Sequence, residues 1–373
     1  MSYSALGELQ PQAKKVWAKA VVNSFFEHSE LMKYTGTDEN SIVMLVTELT
    51  ETEKGDRAGF ALVADLQQSG VTGDNQLEGR EEALDSSWCE IQIDQLRHGT
   101  SSKGRMDNQK SVINFRVQSK EKLARWRANI VDQLMISTVS GISYSLKMDG
   151  SPRALSDQDQ LLSLQFADLV TPPSSGRHFI VDGNGNFVAG DTSGIAQASV
   201  LSYKVLVDAK AEAVSRGIKP FMAGGRGYHL FLCHPKAFAQ LQKDADFKNA
   251  LQNALPRSEN NPIFTGAVVT MDGLVIATSL RVFHTSGAAN GSRWGSNGNV
   301  NGTRSLLLGA QALGMADLWD KGIWFEGKKD HDNKSMISLA LMFGFVKPQF
   351  KSDFDNGTVQ DFGSMVIDHY IAP

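Results

Sequence analysis

The sequence predicts an α+β fold built from extended elements, on three observations. Strict alternation at Cys89, Ile91 and Ile93 against Glu90, Gln92 and Asp94 marks a strand. A helical stripe of about thirty residues follows it, so the two periodicities are intermixed along one chain with no repeat at a fixed period. Third, the polar stretch "GVTGDNQLEGREEAL", Gly70 to Leu84, separates two apolar strand-like runs. A loop beyond about 12–15 residues inside a compact domain is functional or disordered as a rule.

Composition sets the outer limits. The 373 residues are 41% hydrophobic and 21% charged, enough for a sizeable core in one large domain or two or three ordinary ones. A net charge of −4 argues against a nucleic-acid groove running over the whole chain. Only Cys89 and Cys233 occur, which excludes a disulfide framework or a cysteine-rich zinc ribbon and suits a reducing compartment. The N-terminus lacks a secretory pattern, and Ser335–Val346, "SMISLALMFGFV", is too short to cross a bilayer, so a cytosolic chain with no membrane contact is expected.

Taken in order, residues 11–28 carry Val16, Val21, Val22, Phe25 and Phe26 at roughly helical spacing, and Ile42–Leu49 reads as a strand. These first fifty or so residues hold no complete core and read as an arm that packs on something else. Arg57–Leu66 and Trp88–Leu96 read as two paired strands with the acidic loop at their tip. Arms of about 20 residues would reach about 65 Å. Such a ribbon is marginal alone and needs a surface to lie on.

From Val112 to Ser140, Phe115, Leu123, Trp126, Ile130, Leu134 and Thr138 recur at helical spacing, with Val131 and Met135 alongside. Lys120, Lys122, Arg125 and Arg127 fall mostly off that stripe and read as solvated; Glu121 and Arg125 form an i,i+4 pair, and Gly141 is the stop. Thirty helical residues would span about 45 Å. Residues 146–195 read as loop-rich. A second helix is expected at Ile195–Arg216 with Gly217 and Pro220 ending it, then a buried strand at Tyr228–Pro235, one short helix over "KAFAQLQKDADFKNAL", a hairpin at Gly266–Val282 and a closing strand in "DFGSMVIDHYIAP".

No motif for chemistry stands up. "AGGRGYHL" (Ala223–Leu230) precedes a strand instead of opening a helix, so it reads as a turn and not a phosphate cradle. Asp330, His331 and Asp332 are adjacent, and neighbours in sequence rarely converge on one ion. "VDGNGNFVAGD" begins like a calcium loop, but Phe187 stands where glycine is needed and Ser193 where glutamate is, so a hairpin is the expectation. Cys233 lies in an apolar strand, an inert core thiol. We therefore assign no catalytic, cofactor-binding or metal residues and expect assembly, not catalysis.

A family resemblance rests on "KGDRAGFALVADLQQSGVTGDNQLEGREEAL", "IQIDQLRHG", "SKGRMDNQ", "FLCHPKAFAQLQKD", "NPIFTGAVVTMDGLVIATSLRV", "SLLLGAQAL" and "DFGSMVID", spanning roughly residues 40–370 in the expected order. The chain resembles the major capsid proteins of tailed bacteriophages, with the Hong Kong 97 capsid fold, in the branch of N-four-like short-tailed phages. The resemblance implies an N-terminal arm at 1–53, an extended loop at 54–102, a peripheral domain with its long helix at 103–145, an axial domain at 146–335 and a return to the peripheral domain at 336–373. It implies hexamers and pentamers of the chain itself in an icosahedral shell around double-stranded DNA, bound without sequence specificity, with scaffold, cement and portal proteins as further partners. It supplies no pair for a covalent crosslink.

On this reading Asp74, Glu78, Arg80, Glu81 and Glu82 are the inter-subunit contacts, the acids facing basic groups or backbone amides of an adjacent subunit. Two other readings compete. A decoration or other virion component would lack a long ribbon combined with a long helix. An enzyme with a lid at 66–86 needs convergent titratable groups beneath it, and the sequence names none.

Overall fold

The computed structural model describes residues 29–46, 55, 57–63, 69–81, 86–110, 114–156, 159–254, 269–318, 322–355 and 357–372. The helix expected within 11–28 lies outside them. Two β-sheets share one long helix.

The first sheet is organised by the strand Lys334–Val346. Ile337, Leu339, Leu341, Phe343 and Phe345 point inward and are buried, while Met336, Ser338, Ala340 and Met342 are only half-buried, the alternation expected of a sheet covered on one face. The strand order is Thr35–Gly36, Val43–Val46, Leu313–Asp317, Lys334–Val346, Ile323–Lys329, with Asp94–Ser101 also paired to Lys334–Val346. Of the strand expected at Ile42–Leu49, Val43–Val46 is present and 47–49 lie outside the described residues.

The long helix Phe115–Ser140 lies against the inner face of this sheet, with Val131, Leu134 and Met135 in one cluster with Leu339, Phe343 and Phe345. Each such side chain contributes about 1.5–3 kcal/mol on burial. Its 26 residues span about 39 Å. Asn114 caps it, its side chain accepting from the Arg116 and Val117 amides, and Gly141 ends it at φ +66°. From Leu134 to Ser140 every residue is buried. Thr138 and Ser140 are tolerated there because their hydroxyls donate to the Leu134 and Ile136 carbonyls, at 2.8 and 2.6 Å.

The second sheet runs Val269–Met271, Leu274–Thr278, Arg226–Cys233, Gly302–Leu308, Ser364–Tyr370, His178–Val181, Phe187–Ala189, with Phe221–Ala223 hairpinned onto Arg226–Cys233. Its central strands are buried on both faces, Gly302–Leu308 along its whole length. Phe231, Leu307, Met365 and Ile367 meet Val205, Leu206, Ala209 and Phe247 in one cluster, with helices Tyr203–Ser215, Pro235–Lys243 and Ala245–Ala254 alongside. The two halves are tied where Arg304 makes two 2.7 Å contacts to Asp368 and a 2.9 Å bond to the Ser140 carbonyl at the end of the long helix.

Several expectations are corrected. Among the described residues the ribbon pairs Arg57–Val63 with Ser86–Gln92, about 23 Å of strand, and it stops short at its root because the chain breaks at Ile93 and Asp94–Ser101 joins the first sheet instead. The second helix begins at Tyr203, since Ile195 and Leu201 are buried by loop and not by helical packing. The helix over 236–251 is two helices, broken at the extended Asp244, whose carboxylate accepts from the Tyr203 amide at 2.7 Å. Arg127 is not solvated: it is 2% exposed and reaches Asp317 at 3.3 Å. Residues 336–373 divide between the sheets, with Ser364–Tyr370 in the second.

Candidate functional site

The acidic loop stands on the ribbon, and the ribbon has two unlike faces. Ala58, Cys89 and Ile91 turn inward onto Val46, Ala316 and Phe362, so its root is anchored by an apolar cluster of its own. Burial there pushes the Cys89 thiol above its ordinary pKa, which leaves it a poor nucleophile. On the outer face Arg57 and Glu90 pair at 2.9 Å, both more than half exposed, a contact of little energetic weight.

Trp88 shares that outer face and is 63% exposed. Its indole lies over Gly59: a Cβ there would stand 2.0 Å from the ring. The glycine is what lets the ring lie flat across the strand pair. The sequence reading did not single out Trp88, although the alternation that placed Glu90 and Gln92 outside extends back to it.

Beyond the ribbon, residues 72–81 are exposed throughout. Asp74, Glu78, Arg80 and Glu81 are all at the surface, and Glu82 lies outside the described residues. Among the described residues the loop's hydrogen bonds close on itself. Asn75 donates to the Thr72 carbonyl at 2.7 Å, the Arg80 amide to the Leu77 carbonyl at 2.9 Å, and the Gly79 amide to the Glu81 carboxylate at 2.7 Å. Gln76 donates to Glu78 at 3.4 Å. Gly70, Gly73 and Gly79 have φ of +77°, +62° and +81°, and a Cβ on any of them would meet nothing within 4 Å. These glycines serve the turn geometry, since no described residue stands within 4 Å of where their Cβ would be. Leu77, 55% exposed, is the one bulky apolar side chain in it that is plainly at the surface. The arrangement offers carboxylate acceptors around one apolar knob, which suits contact with another surface.

The other motifs singled out in sequence are turns. Gly224 and Gly225, at φ +57° and +76°, close the hairpin between Phe221–Ala223 and Arg226–Cys233. Asp182 closes the hairpin of His178–Val181 with Phe187–Ala189, its carboxylate accepting from the Asn184 and Asn186 amides. Asp330, His331 and Asp332 form a left-handed turn whose acids pair with Lys334 and Lys328. Cys233 is buried, its thiol pushed up to about 12.

Comparison with known proteins fits this geometry. The sequence profile of a family described as "Phage capsid protein" matches residues 5–372. The major capsid protein of Pseudomonas phage KPP25 is 40% identical over the whole of this chain and 98% of its own. Among solved structures, the capsid of Ralstonia phage GP4 superposes with a TM-score of 0.76 at 23% identity, covering 100% of this chain and 99% of that one. The Cyanophage Pam1 capsid superposes with a TM-score of 0.69 at 18% identity, over 100% and 96%.

Proposed function

The chain belongs to the phage capsid protein family, and from that premise we propose that it is the major capsid protein of a tailed phage, assembling as hexamers and pentamers into an icosahedral shell around double-stranded DNA. The observation that carries the assembly mechanism is the ribbon: a strand pair rooted in its own subunit and tipped by a loop that bonds only to itself among the described residues. Such a projection gains its partners from a neighbour. Each contact is weak, and many made together stabilise a closed particle. The fold is of the Hong Kong 97 type, and we place the chain in its N-four-like branch on the sequence stretches quoted above.

Within that fold we assign 1–53 to the N-terminal arm, 54–102 to the extended loop, 103–145 to the peripheral domain and 146–335 to the axial domain. The helix on the first sheet and the second sheet, buried on both faces at its centre, support the split. Both Asp94–Ser101 and Leu313–Asp317 nevertheless belong to the first sheet, and Ser364–Tyr370 to the second, so the assignments interleave along the chain. We propose that Asp74, Glu78, Arg80, Glu81 and Glu82 meet a neighbouring subunit, and that scaffold, cement and portal proteins complete the head.

Expression followed by sedimentation and negative-stain imaging tests the reading. Shells, hexamers or pentamers are expected, and a stable monomer at high concentration contradicts it. Replacing the four acids Asp74, Glu78, Glu81 and Glu82 by Gln lowers particle yield while the subunit stays folded.

A further inference from the structure

We propose that the asparagine–glycine pairs of this chain are deamidation sites held shut by the fold, each by a hydrogen bond from the glycine N–H.

The sequence holds five such pairs: Asn184–Gly185, Asn290–Gly291, Asn297–Gly298, Asn301–Gly302 and Asn356–Gly357. In an unfolded chain glycine after asparagine favours the reaction, because no side chain hinders the attack and the backbone turns freely. The first step is loss of the proton from the glycine amide. The amide nitrogen then bonds to the asparagine Cγ, the Cγ–Nδ2 bond breaks, and Nδ2 leaves with that proton as ammonia. Water opens the resulting succinimide to aspartate or isoaspartate. Hydrogen exchange at the same amide also begins with loss of its proton, so a bond that must open for one must open for the other.

All five glycine amides are engaged. Gly185 donates to the Asp182 carbonyl at 3.1 Å, Gly291 to the Gly298 carbonyl at 2.8 Å, Gly298 to the Gly295 carbonyl at 3.0 Å and Gly357 to the Ser352 carbonyl at 2.8 Å. Gly302 uses a side chain instead: its N–H donates to the hydroxyl of the buried Thr285 at 2.9 Å. Asn356 lies outside the described residues. Asn184, Asn290 and Asn297 are exposed, so burial does not protect them and the amide bond is what remains. Asn301 meets a second obstacle. Its Oδ1 is buried with no hydrogen-bond partner among the described residues. Attack at Cγ would place negative charge on that oxygen with no donor to receive it.

The fold retains these glycines for reasons of its own. A Cβ on Gly302 would stand 1.7 Å from the Trp294 ring, and one on Gly298, at φ +63°, 2.5 Å from the Gly291 carbonyl oxygen. The reactive pairs are therefore kept and closed. Isoaspartate at 301 would add a methylene to the backbone where Gly302–Leu308 begins, a strand buried along its whole length. Subunits held in a closed particle are not replaced, so the protection matters most on the shell-forming reading.

Peptide mapping by mass spectrometry reads aspartate and isoaspartate at each pair over time in mildly alkaline buffer. The folded chain is expected to modify all five pairs at least about tenfold more slowly than the urea-unfolded chain, about the rate equivalent of one hydrogen bond. Thr285→Val keeps the shape of the side chain and removes the acceptor. It is expected to speed modification at Asn301 by about tenfold while the other pairs keep their rates, and Thr285→Ser to leave Asn301 unchanged. An unaltered Asn301 rate in folded Thr285→Val overturns the proposal. So does a folded chain that modifies its exposed pairs as fast as the unfolded one. If all five pairs accelerate together in Thr285→Val, the variant has unfolded, and amide exchange on the unmodified protein decides. The pairs are then expected to modify in the order in which their glycine amides exchange, and any other order overturns the proposal.

Discussion

Asp368 has no exposed surface, yet it carries the join between the two halves of the subunit. It takes two 2.7 Å contacts from Arg304 and one of 2.7 Å from His178, and these hold its carboxyl below the usual range despite burial. Removing one partner of such a pair strands the other, at a cost of about 3–5 kcal/mol. Asp368→Ala is therefore expected to lower subunit stability by that amount in chemical denaturation. A second residue-scale prediction concerns acid. His234 and His284 face each other with ring centroids 4.9 Å apart. Burial, then His284, Lys236 and His369, bring His234 down to about 4. Asp149 opposes the shift at His284, which still lies below its ordinary value because of burial. His369 is likewise brought to about 4 by burial; its Nδ1–H donates to the Tyr370 carbonyl at 3.1 Å and its Nε2 accepts from the Ser305 hydroxyl at 2.8 Å, a neutral ring already satisfied. The unfolded histidines protonate first as pH falls, so stability is full above about 6.5 and declines toward 4. Melting temperature measured across that window should fall, and His234→Asn should flatten the decline. The pairing of Asp368 with Arg304 and His178, and of His234 with His284, was not legible in the sequence, because these partners lie far apart along it. Arg127 shows the same limit: its partner Asp317 is 190 positions away, so it read as solvated.

At the scale of elements, what was legible was local. The end of the long helix could be read because Gly141 follows it directly in sequence; its start was expected at Val112, whereas the helix begins at Phe115 with Asn114 as its cap. Gly141 also packs closely, since a Cβ would stand 2.6 Å from the Thr171 carbonyl oxygen. Gly141→Ala is expected to cost about 1 kcal/mol or more, from the positive φ and the clash together, readable as a drop in denaturation midpoint without change in slope. The alternation of Cys89, Ile91 and Ile93 placed the inner face of the ribbon correctly. It could not give the ribbon's length, because the break at Ile93 is set by pairing of Asp94–Ser101 with a strand more than two hundred residues later. The start of the second helix failed for a similar reason: buried apolar residues at 195–201 mimic a helical stripe while serving a loop.

On the scale of the whole molecule, a ribbon rooted in its own subunit by Ala58, Cys89 and Ile91 leads to a loop whose acids and Leu77 are exposed. The acidic loop was visible in sequence because it is continuous, and its lack of apolar bulk matches the exposure of residues 72–81 along their whole length. The central claim is that the ribbon serves a neighbour and not its own subunit. A cryo-EM reconstruction of assembled particles tests it most directly. We expect residues 69–81 of each copy to lie on a neighbouring subunit; a ribbon folded back onto its own subunit, in particles that form normally, would contradict it.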